Sequence, residues 1–501
     1  MCPKSMRIWL AVILVLSITT WLGCNKAGNG GQSVAAASEG AKIPITTKSE
    51  EARTEFLEGR DLSERLLGQE SLQHFDKAIA LDPDFAFAEM ARANNSPTAK
   101  EFFEHQMKAS ILVEKASEGE KLLILANEAG ANGEVVKQKD YLDKLVAAYP
   151  NDERAQFNLA NYYFGQQDYA QAIVHYKKAT ELAPAYSPAY NVLGYAYRQQ
   201  GDYADAEQAF KKYVELIPAD PNPYDSYAEL LLKMGRFDDS VAQYRKALSI
   251  DPHFVPSHFG LSAALLYQGK PDEATAELQK MADQARNDGE TRTALFGMAV
   301  VAADRGQWNE SIQAIDKEYG VAEKKNDNAS MAADLQAKGN ILAAMQKFDD
   351  AAHEYERSLQ LTESSNLSQE IKDNAKLQHH FNLASVALGK KDYAAAKRHA
   401  EQFLKGAEAS KNPAQLKQAH ELAGRIALAE KDYDKAIAEL GQANDQNPLN
   451  LFRLSQAYRA KGDSAKAQEY GQKAAEFNSL PMLNYAFVRA KAQQMVAGAK
   501  V

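Results

Sequence analysis

The sequence contains almost no cysteine. Cys2 and Cys24 are the two cysteines among its 501 residues, so the rest of the chain has neither a Cys-x-x-Cys motif nor the thiols of a disulfide framework. Long runs of positive charge are also missing. Because the net charge is −9, the composition does not favour strong non-specific attraction to nucleic acid.

Enzyme motifs are missing as well. The chain has no P-loop, no Gly-x-Ser-x-Gly elbow and no Gly-x-Gly-x-x-Gly opening a helix after a strand. His353 and His420 each precede a glutamate but lack the second His of a zinc protease motif. His379 and His380 are adjacent, so on a helix they point about 100° apart, which suits chelation poorly. We therefore predict no catalytic site, no metal and no cofactor. An unrecognised enzyme site in the irregular region 94–117, or after Asp288, is a minor alternative.

A fixed period dominates the remaining sequence. Pro150, Pro184, Pro218 and Pro252 follow one another at intervals of 34 residues. Between these prolines, apolar residues recur at spacings of three and four in two successive stripes, which predicts two helices in each block. In the block from Ser187 the stripes contain Tyr190, Leu193, Gly194, Tyr197, Ala206, Phe210 and Tyr213. We expect Gly201 to end the first helix and Asp202 to cap the second.

The three blocks between Glu153 and Phe254 resemble the tetratricopeptide repeat family. The block from Ser187 departs from the family pattern mainly at Tyr213, and its neighbours depart at Gln156 and Ser240. The matches in the neighbouring blocks are Leu159, Ala160, Tyr163, Ala172, Tyr176, Ala179, Tyr224, Ala228, Tyr244 and Ala247. The resemblance implies an all-α, right-handed superhelical solenoid of helix-turn-helix repeats with a concave groove that binds proteins.

The repeats extend over most of the chain. We count about twelve helical pairs after Glu51 and find almost no pattern typical of strands. The pattern loosens towards the C-terminus, so we predict an N-terminal array over residues 51–288. A more divergent array over residues 289–501 follows, with a terminal capping helix from about Met482 to Met495.

The N-terminus predicts export and lipidation. Residues 1–24 combine Lys4 and Arg7 with an apolar run too short to span a bilayer, as in a signal peptide. The run ends in Gly23-Cys24, which resembles the lipobox of bacterial lipoproteins, although Trp21 departs from it. The resemblance implies lipid attachment at Cys24. An uncleaved N-terminal anchor is the alternative. Residues 25–50, rich in Gly, Ser and Ala, predict a flexible tether.

The resemblance also implies which side chains line the groove. Carried over position by position, the partner-binding residues are Phe157, Asn161, Asn191, Tyr195, Arg198, Asp225, Glu229, Lys233 and Phe259. The alternative is that these residues only solvate the groove. Repeats that clamp the acidic C-terminus of chaperones need three cations, which Phe157, Asn222 and Ser226 replace here, and a second asparagine, which Val192 replaces. Asn161 alone matches, so that specificity is not expected.

Together these features suggest a non-catalytic scaffold, anchored by lipid in the bacterial cell envelope. It would bind protein segments of the envelope in its groove and so assist the assembly of an envelope complex. Asn25 after the lipidated cysteine would permit an outer-membrane, periplasm-facing location in a Gram-negative organism. The alternative is a sensor or regulatory module that changes shape when a ligand or partner binds. The partner's identity and the oligomeric state do not follow from the sequence.

Overall fold

The computed structural model describes residues 42–498, which form an all-α solenoid of tandem helix pairs without a strand in that range. The predicted signal peptide, Cys24 and residues 25–41 of the predicted tether lie outside the described residues. Within residues 42–498, no helix is both long and apolar enough to cross a bilayer.

Twelve helix pairs follow one another, as predicted. The first six consist of α1 (Glu50–Glu64), α2 (Gly68–Leu81), α3 (Ala86–Asn94), α4 (Ala99–Ile111), α5 (Glu118–Ala131), α6 (Val135–Ala148), α7 (Glu153–Gly165), α8 (Tyr169–Leu182), α9 (Ser187–Gln200), α10 (Tyr203–Leu216), α11 (Asn222–Lys233) and α12 (Phe237–Ile250). The next six consist of α13 (Val255–Tyr267), α14 (Pro271–Asp283), α15 (Asp288–Asp304), α16 (Trp308–Glu323), α17 (Asn328–Ala344), α18 (Phe348–Ser364), α19 (Gln369–Gly389), α20 (Tyr393–Ser410), α21 (Pro413–Ala429), α22 (Tyr433–Leu440), α23 (Pro448–Lys461) and α24 (Ser464–Ala475). A short 3-10 helix, Val113–Lys115, follows α4.

The helices divide into two compact units, residues 42–230 (unit 1) and residues 231–498 (unit 2). The boundary lies inside α11, whereas the sequence predicted a boundary near residue 288. The sequence prediction followed the loosening of the repeat pattern. The compact units instead follow contacts, and the end of the chain contacts residues as early as Lys233 within unit 2.

The turns between paired helices use the predicted capping residues. Gly201 ends α9 with a φ of +83°, a left-handed conformation that glycine adopts without strain. The Asp202 side chain accepts a hydrogen bond from the backbone N–H of Asp205 and caps α10. Both predictions are confirmed.

A small residue allows the two helices of a pair to approach closely. At Gly194, an added Cβ would lie 2.8 Å from the Phe210 ring, so a larger residue would push α9 and α10 apart. The aromatic residues of the second helices fill the space between pairs. Tyr176, Tyr213 and Tyr244 are fully buried there, and burying a side chain of this size contributes about 2–3 kcal/mol.

First helices of successive pairs contact one another. Examples are α3 with α5 in unit 1, and α13 with α15, α19 with α21 and α21 with α23 in unit 2. We call the surface formed by the first helices the inner face of each unit, and that formed by the second helices the outer face.

An extended segment of residues 42–48, here called the N-terminal strap, runs along unit 1. Backbone N–H groups of the strap donate to carboxylates at the ends of three successive pairs. The three hydrogen bonds run from Ile43 to Asp152 (2.9 Å), from Thr46 to Glu120 (2.8 Å) and from Lys48 to Asp82 (3.0 Å). Ile43 and Ile45 pack against the hydrophobic core of the repeats. These seven residues of the predicted tether are therefore held against the solenoid.

The residues after α24, here called the C-terminal segment (477–498), begin on the inner face of unit 2 and end against α24. They include α25 (Leu483–Ala486), which contacts α15, and α26 (Arg489–Gly498), which contacts α24. The single terminal helix predicted from Met482 to Met495 is thus divided in two. Tyr267 donates its hydroxyl hydrogen to the Ser479 carbonyl at 2.6 Å, and Arg489 pairs with Asp304.

Candidate functional site

The predicted groove residues lie on first helices in both units. Seven of them belong to unit 1, on α7, α9 and α11, and two belong to unit 2, on α11 and α13. The seven in unit 1 are Phe157, Asn161, Asn191, Tyr195, Arg198, Asp225 and Glu229.

Two hydrogen bonds connect α9 to α11 on the inner face of unit 1. The Tyr195 hydroxyl donates to the Ser226 hydroxyl oxygen at 3.2 Å, and Arg198 Nη1 donates to Glu229 Oε2 at 3.2 Å. The Arg198 guanidinium also lies 4.6 Å from the centroid of the Tyr195 ring. We call Tyr195, Arg198, Ser226 and Glu229 the inner cluster. Burial raises the pKa of Tyr195 well above its usual range, so its hydroxyl stays protonated.

Sequence reasoning missed Ser226 as a member of this cluster. In both bonds the partner lies 31 residues later in the chain. This offset equals one 34-residue repeat minus about one helical turn. This offset follows from the 34-residue period and the helix geometry, so it could have identified Ser226 from the position of Tyr195.

Two polar atoms on α9 are buried without a hydrogen-bond partner in the described part of the chain. They are Asn191 Oδ1, an acceptor, and Arg198 Nε, a donor. The residues are seven positions apart on one helix, so they lie about 10 Å apart along its axis. Because buried polar atoms are nearly always paired in proteins, this face of α9 has the means to bind a polar group of a ligand.

The two groove residues of α7 take part in packing. Asn161 Oδ1 accepts the Tyr176 hydroxyl at 2.7 Å, and the Phe157 ring contacts Tyr176 and Tyr186 with centroids 5.8 and 5.5 Å away. Asp225 on α11 is buried. Contact of these residues with a partner stays a prediction.

The two groove residues of unit 2 are engaged by other parts of unit 2. Lys233 Nζ donates to the Phe477 carbonyl at 2.7 Å and lies 4.0 Å from the centroid of the Phe477 ring. Phe259 is buried, and its ring lies 3.1 Å from the position that a Cβ on Gly297 would take. The sequence did not reveal the contact of Lys233 because Phe477 is 244 residues away.

Two of the histidines noted in the sequence, His420 and His380, each pair with a neighbouring side chain. His420 Nδ1 lies 2.8 Å from Glu439 Oε2, and His380 Nδ1 lies 3.1 Å from His399 Nδ1. Burial, followed by the neighbouring histidines, lowers the pKa of His380. A group of three possible metal ligands occurs elsewhere, in unit 1, where the ligand atoms of Glu55, Glu58 and His74 lie within 4.8 Å of one another. The Lys77 ammonium already pairs with Glu55 and would compete with a cation.

Known protein families match several parts of the chain. Profiles described as tetratricopeptide repeat match residues 126–187, 157–221, 231–296 and 450–479. The chain is a tetratricopeptide repeat protein. Its repeats indicate a protein-binding scaffold, a class that is typically non-catalytic.

Several solved protein structures resemble parts of the chain. A repeat protein from Parabacteroides merdae ATCC 43184 is 16% identical over 52% of this chain and 98% of its own, with a TM-score of 0.35. The protein TTC0263 from Thermus thermophilus is 23% identical over 43% of this chain and 99% of its own, with a TM-score of 0.29. MamA from Desulfovibrio magneticus RS-1 is 17% identical over 33% of this chain and 93% of its own, with a TM-score of 0.28. No curated protein sequence matches this tetratricopeptide repeat protein.

Proposed function

We propose that this protein is a scaffold, anchored by lipid in the bacterial cell envelope, that binds protein segments on the inner face of unit 1. Binding there would assist the assembly of an envelope complex. The observation that carries the proposal is the inner face of α9, where the inner cluster lies beside the unpartnered Asn191 Oδ1 and Arg198 Nε. An extended peptide can donate a backbone N–H to the first atom and offer a carbonyl to the second.

Capture from detergent-extracted envelope membranes tests the binding face. We would cross-link mildly and compare the wild type with a variant in which Asn161, Tyr195 and Glu229 are changed to Ala. The matched control changes Val174, Lys178 and Lys211 to Ala, because these side chains are exposed on the outer-face helices α8 and α10. We expect a discrete envelope protein with the wild type and the control, and its loss from the inner-face variant. Equal capture by both variants would contradict the assignment.

The lipid anchor is proposed from the sequence. The positive start, the short apolar run and Gly23-Cys24 support attachment of a lipid at Cys24, and Asn25 supports an outer-membrane, periplasm-facing location. Substitution Cys24→Ser should move the protein from the detergent phase to the aqueous phase in a detergent partition. It should also abolish labelling by a radioactive fatty acid. Unchanged partition and labelling would contradict lipidation at this residue.

A second candidate is a sensor that changes shape when a ligand binds. The division into two compact units, with its boundary inside α11, favours this alternative. Small-angle scattering of the purified protein with and without the captured envelope protein would separate the two functions. If the protein is a scaffold, the shape of its own chain should be the same with and without the partner. If it is a sensor, that shape should change.

A further inference from the structure

One polar contact recurs between the two helices of several pairs. A side chain of the first helix meets a side chain of the second helix 19 residues later, and a histidine takes part each time. The five combinations are Glu55 with His74, Gln156 with His175, His258 with Glu277, His380 with His399, and His420 with Glu439. Four of them join a histidine to a carboxylate or an amide, which are ordinary hydrogen-bond partners of imidazole. The pair of α19 and α20 instead joins two histidines.

The contact between the two histidines is built by the repeat. Asp392 caps α20 and Asp168 caps α8, and His399 and His175 each follow their cap by seven residues. The same position of the repeat therefore carries a histidine in both pairs, and its partner on the first helix decides the chemistry. The sequence had suggested only the adjacent histidines of α19 as ligands, and those suit chelation poorly.

Two imidazole nitrogens meet in this contact. His380 Nδ1 lies 3.1 Å from His399 Nδ1, and neither ring pairs with a carboxylate within residues 42–498. Burial, followed by the neighbouring histidines, lowers the pKa of His380, and burial followed by the charge of Arg398 lowers the pKa of His399. Both rings are therefore mostly neutral near neutral pH, and neutral imidazole is the form that binds metals.

The separation of the two nitrogens fits a shared metal ion. Zn–N bonds are about 2.0–2.1 Å long, so two nitrogens on one tetrahedral ion lie about 3.3 Å apart, and two at a right angle lie about 2.9 Å apart. The observed 3.1 Å lies between these values. Both side chains are half-buried, so water and ions can reach them. Imidazole suits Zn²⁺, Ni²⁺ and Cu²⁺, whereas Mg²⁺ and Ca²⁺ prefer oxygen ligands.

We propose that His380 and His399 chelate a divalent transition-metal ion between α19 and α20, with water or a donor from outside the chain completing its coordination. The inference does not depend on the proposed function, because both ligands lie in unit 2 and neither is a groove position. The unfolded chain does not hold the two histidines together, so the bound ion should stabilise unit 2.

Calorimetric titration of the purified full chain, without a histidine tag, tests the proposal. Cu²⁺ and Zn²⁺ should each bind, whereas Mg²⁺ should not. His380→Gln removes one nitrogen ligand and reproduces the combination of Gln156 with His175, so the variant should fold. It should weaken Cu²⁺ and Zn²⁺ binding by about tenfold or more. His353→Gln is the matched control, because this histidine is exposed on α18, and it should leave the affinity unchanged.

Electron paramagnetic resonance of the first Cu²⁺ bound identifies its ligands. The wild type should show coupling to two imidazoles, and His380→Gln and His399→Gln should each show coupling to one at most. Both ions should raise the thermal midpoint of the wild type but not of these two variants.

The proposal is overturned if neither ion binds, or if both variants bind as the wild type does. Loss of the tightest site from His74→Gln instead would also overturn it, because the ion would then lie at the group of Glu55, Glu58 and His74 in unit 1. None of these outcomes affects the capture experiment on the inner face of unit 1.

Discussion

Units 1 and 2 have the same helix-pair architecture, but they are completed by different ends of the chain. In unit 1 the N-terminal strap lies across the ends of three pairs, and its backbone is held by carboxylates. In unit 2 the beginning of the C-terminal segment lies on the inner face itself. A lining position on a first helix is therefore available to a partner only where the chain's own ends leave it uncovered.

The units also differ in how they pair buried charge. The inner cluster of unit 1 joins one arginine, Arg198, to one carboxylate, Glu229. Unit 2 contains unequal groups. Arg425 and Arg453 share the single carboxylate of Glu421, and Arg292 lies between Glu318 and Asp334. The unequal groups should make the stability of unit 2 depend on pH and on added ions, whereas the one-to-one pair should make the inner cluster less sensitive to both.

The largest expected effect comes from loosening the C-terminal segment. Tyr485 is 1% exposed and donates its hydroxyl to the Ala475 carbonyl, so Tyr485→Ala should destabilise unit 2 by about 3–5 kcal/mol. Hydrogen exchange should show faster amide exchange in α15, α23 and α24, with unit 1 unchanged. Faster exchange in both units to the same degree would contradict the separation of their stabilities.

Close helix contacts predict the next largest effect. An added Cβ would lie 2.2 Å from Tyr244 at Gly260 in unit 2, and 2.8 Å from Phe210 at Gly194 in unit 1. Gly260→Ala should therefore destabilise the protein by about 2–3 kcal/mol, and Gly194→Ala by less. Urea unfolding of both variants measures this difference. Gly320→Ala is the control, because no atom lies within 4 Å of its added Cβ, and it should stabilise α16 slightly.

The strap predicts a smaller effect in unit 1. Asp152 caps α7 and also accepts the Ile43 N–H, whereas Asp168 caps α8 without a strap contact. Asp152→Ala should therefore cost about 2 kcal/mol and Asp168→Ala about 1 kcal/mol. The difference between the two urea unfolding energies measures the strap bond. Equal losses would show that the strap contributes nothing to stability.

The smallest effect is a pH dependence that Glu318 gives to unit 2. Burial, followed by the charge of Asp334, raises the pKa of Glu318 well above its usual range. The native state then retains a proton that the unfolded state releases, so the stability of unit 2 falls as pH rises above about 4.5 towards the native pKa. Glu318→Gln should remove this fall and raise the thermal midpoint at pH 8 by a few degrees. If the thermal midpoint of the Glu318→Gln variant fell with pH as steeply as that of the wild type, the raised pKa of Glu318 would be contradicted.

The sequence predicted what depends on local spacing. The 34-residue period identified the helix pairs, and Gly201 and Asp202 were correct as caps because both act within one turn. Contacts between distant segments could not be predicted in this way. The composition of residues 25–50 indicated a flexible tether. The strap is nevertheless held, because Ile43 and Ile45 pack against the core and carboxylates accept its backbone N–H groups. These carboxylates lie far from the strap in the sequence, so local spacing did not reveal the contacts.

The candidate site was predictable only in part. Family positions placed the lining residues on first helices, but whether a side chain is free depends on neighbours that the pattern does not specify. Lys233 is held by Phe477, whereas Arg198 keeps an unpartnered Nε. The grouping of Arg425 and Arg453 around Glu421 was missed because only Glu421 belonged to a motif noted in the sequence, and Arg453 comes from a different helix.

Site-specific photo-cross-linking tests most directly whether the inner face of unit 1 binds protein segments. Benzoylphenylalanine would replace Phe157, a half-buried aromatic on α7, and in a second variant Val174, which is 57% exposed on the paired helix α8. Irradiation of envelope membranes should give a discrete cross-linked protein from position 157 and none from position 174. Cross-links from position 174 alone, or the same products from both positions, would contradict binding on the inner face.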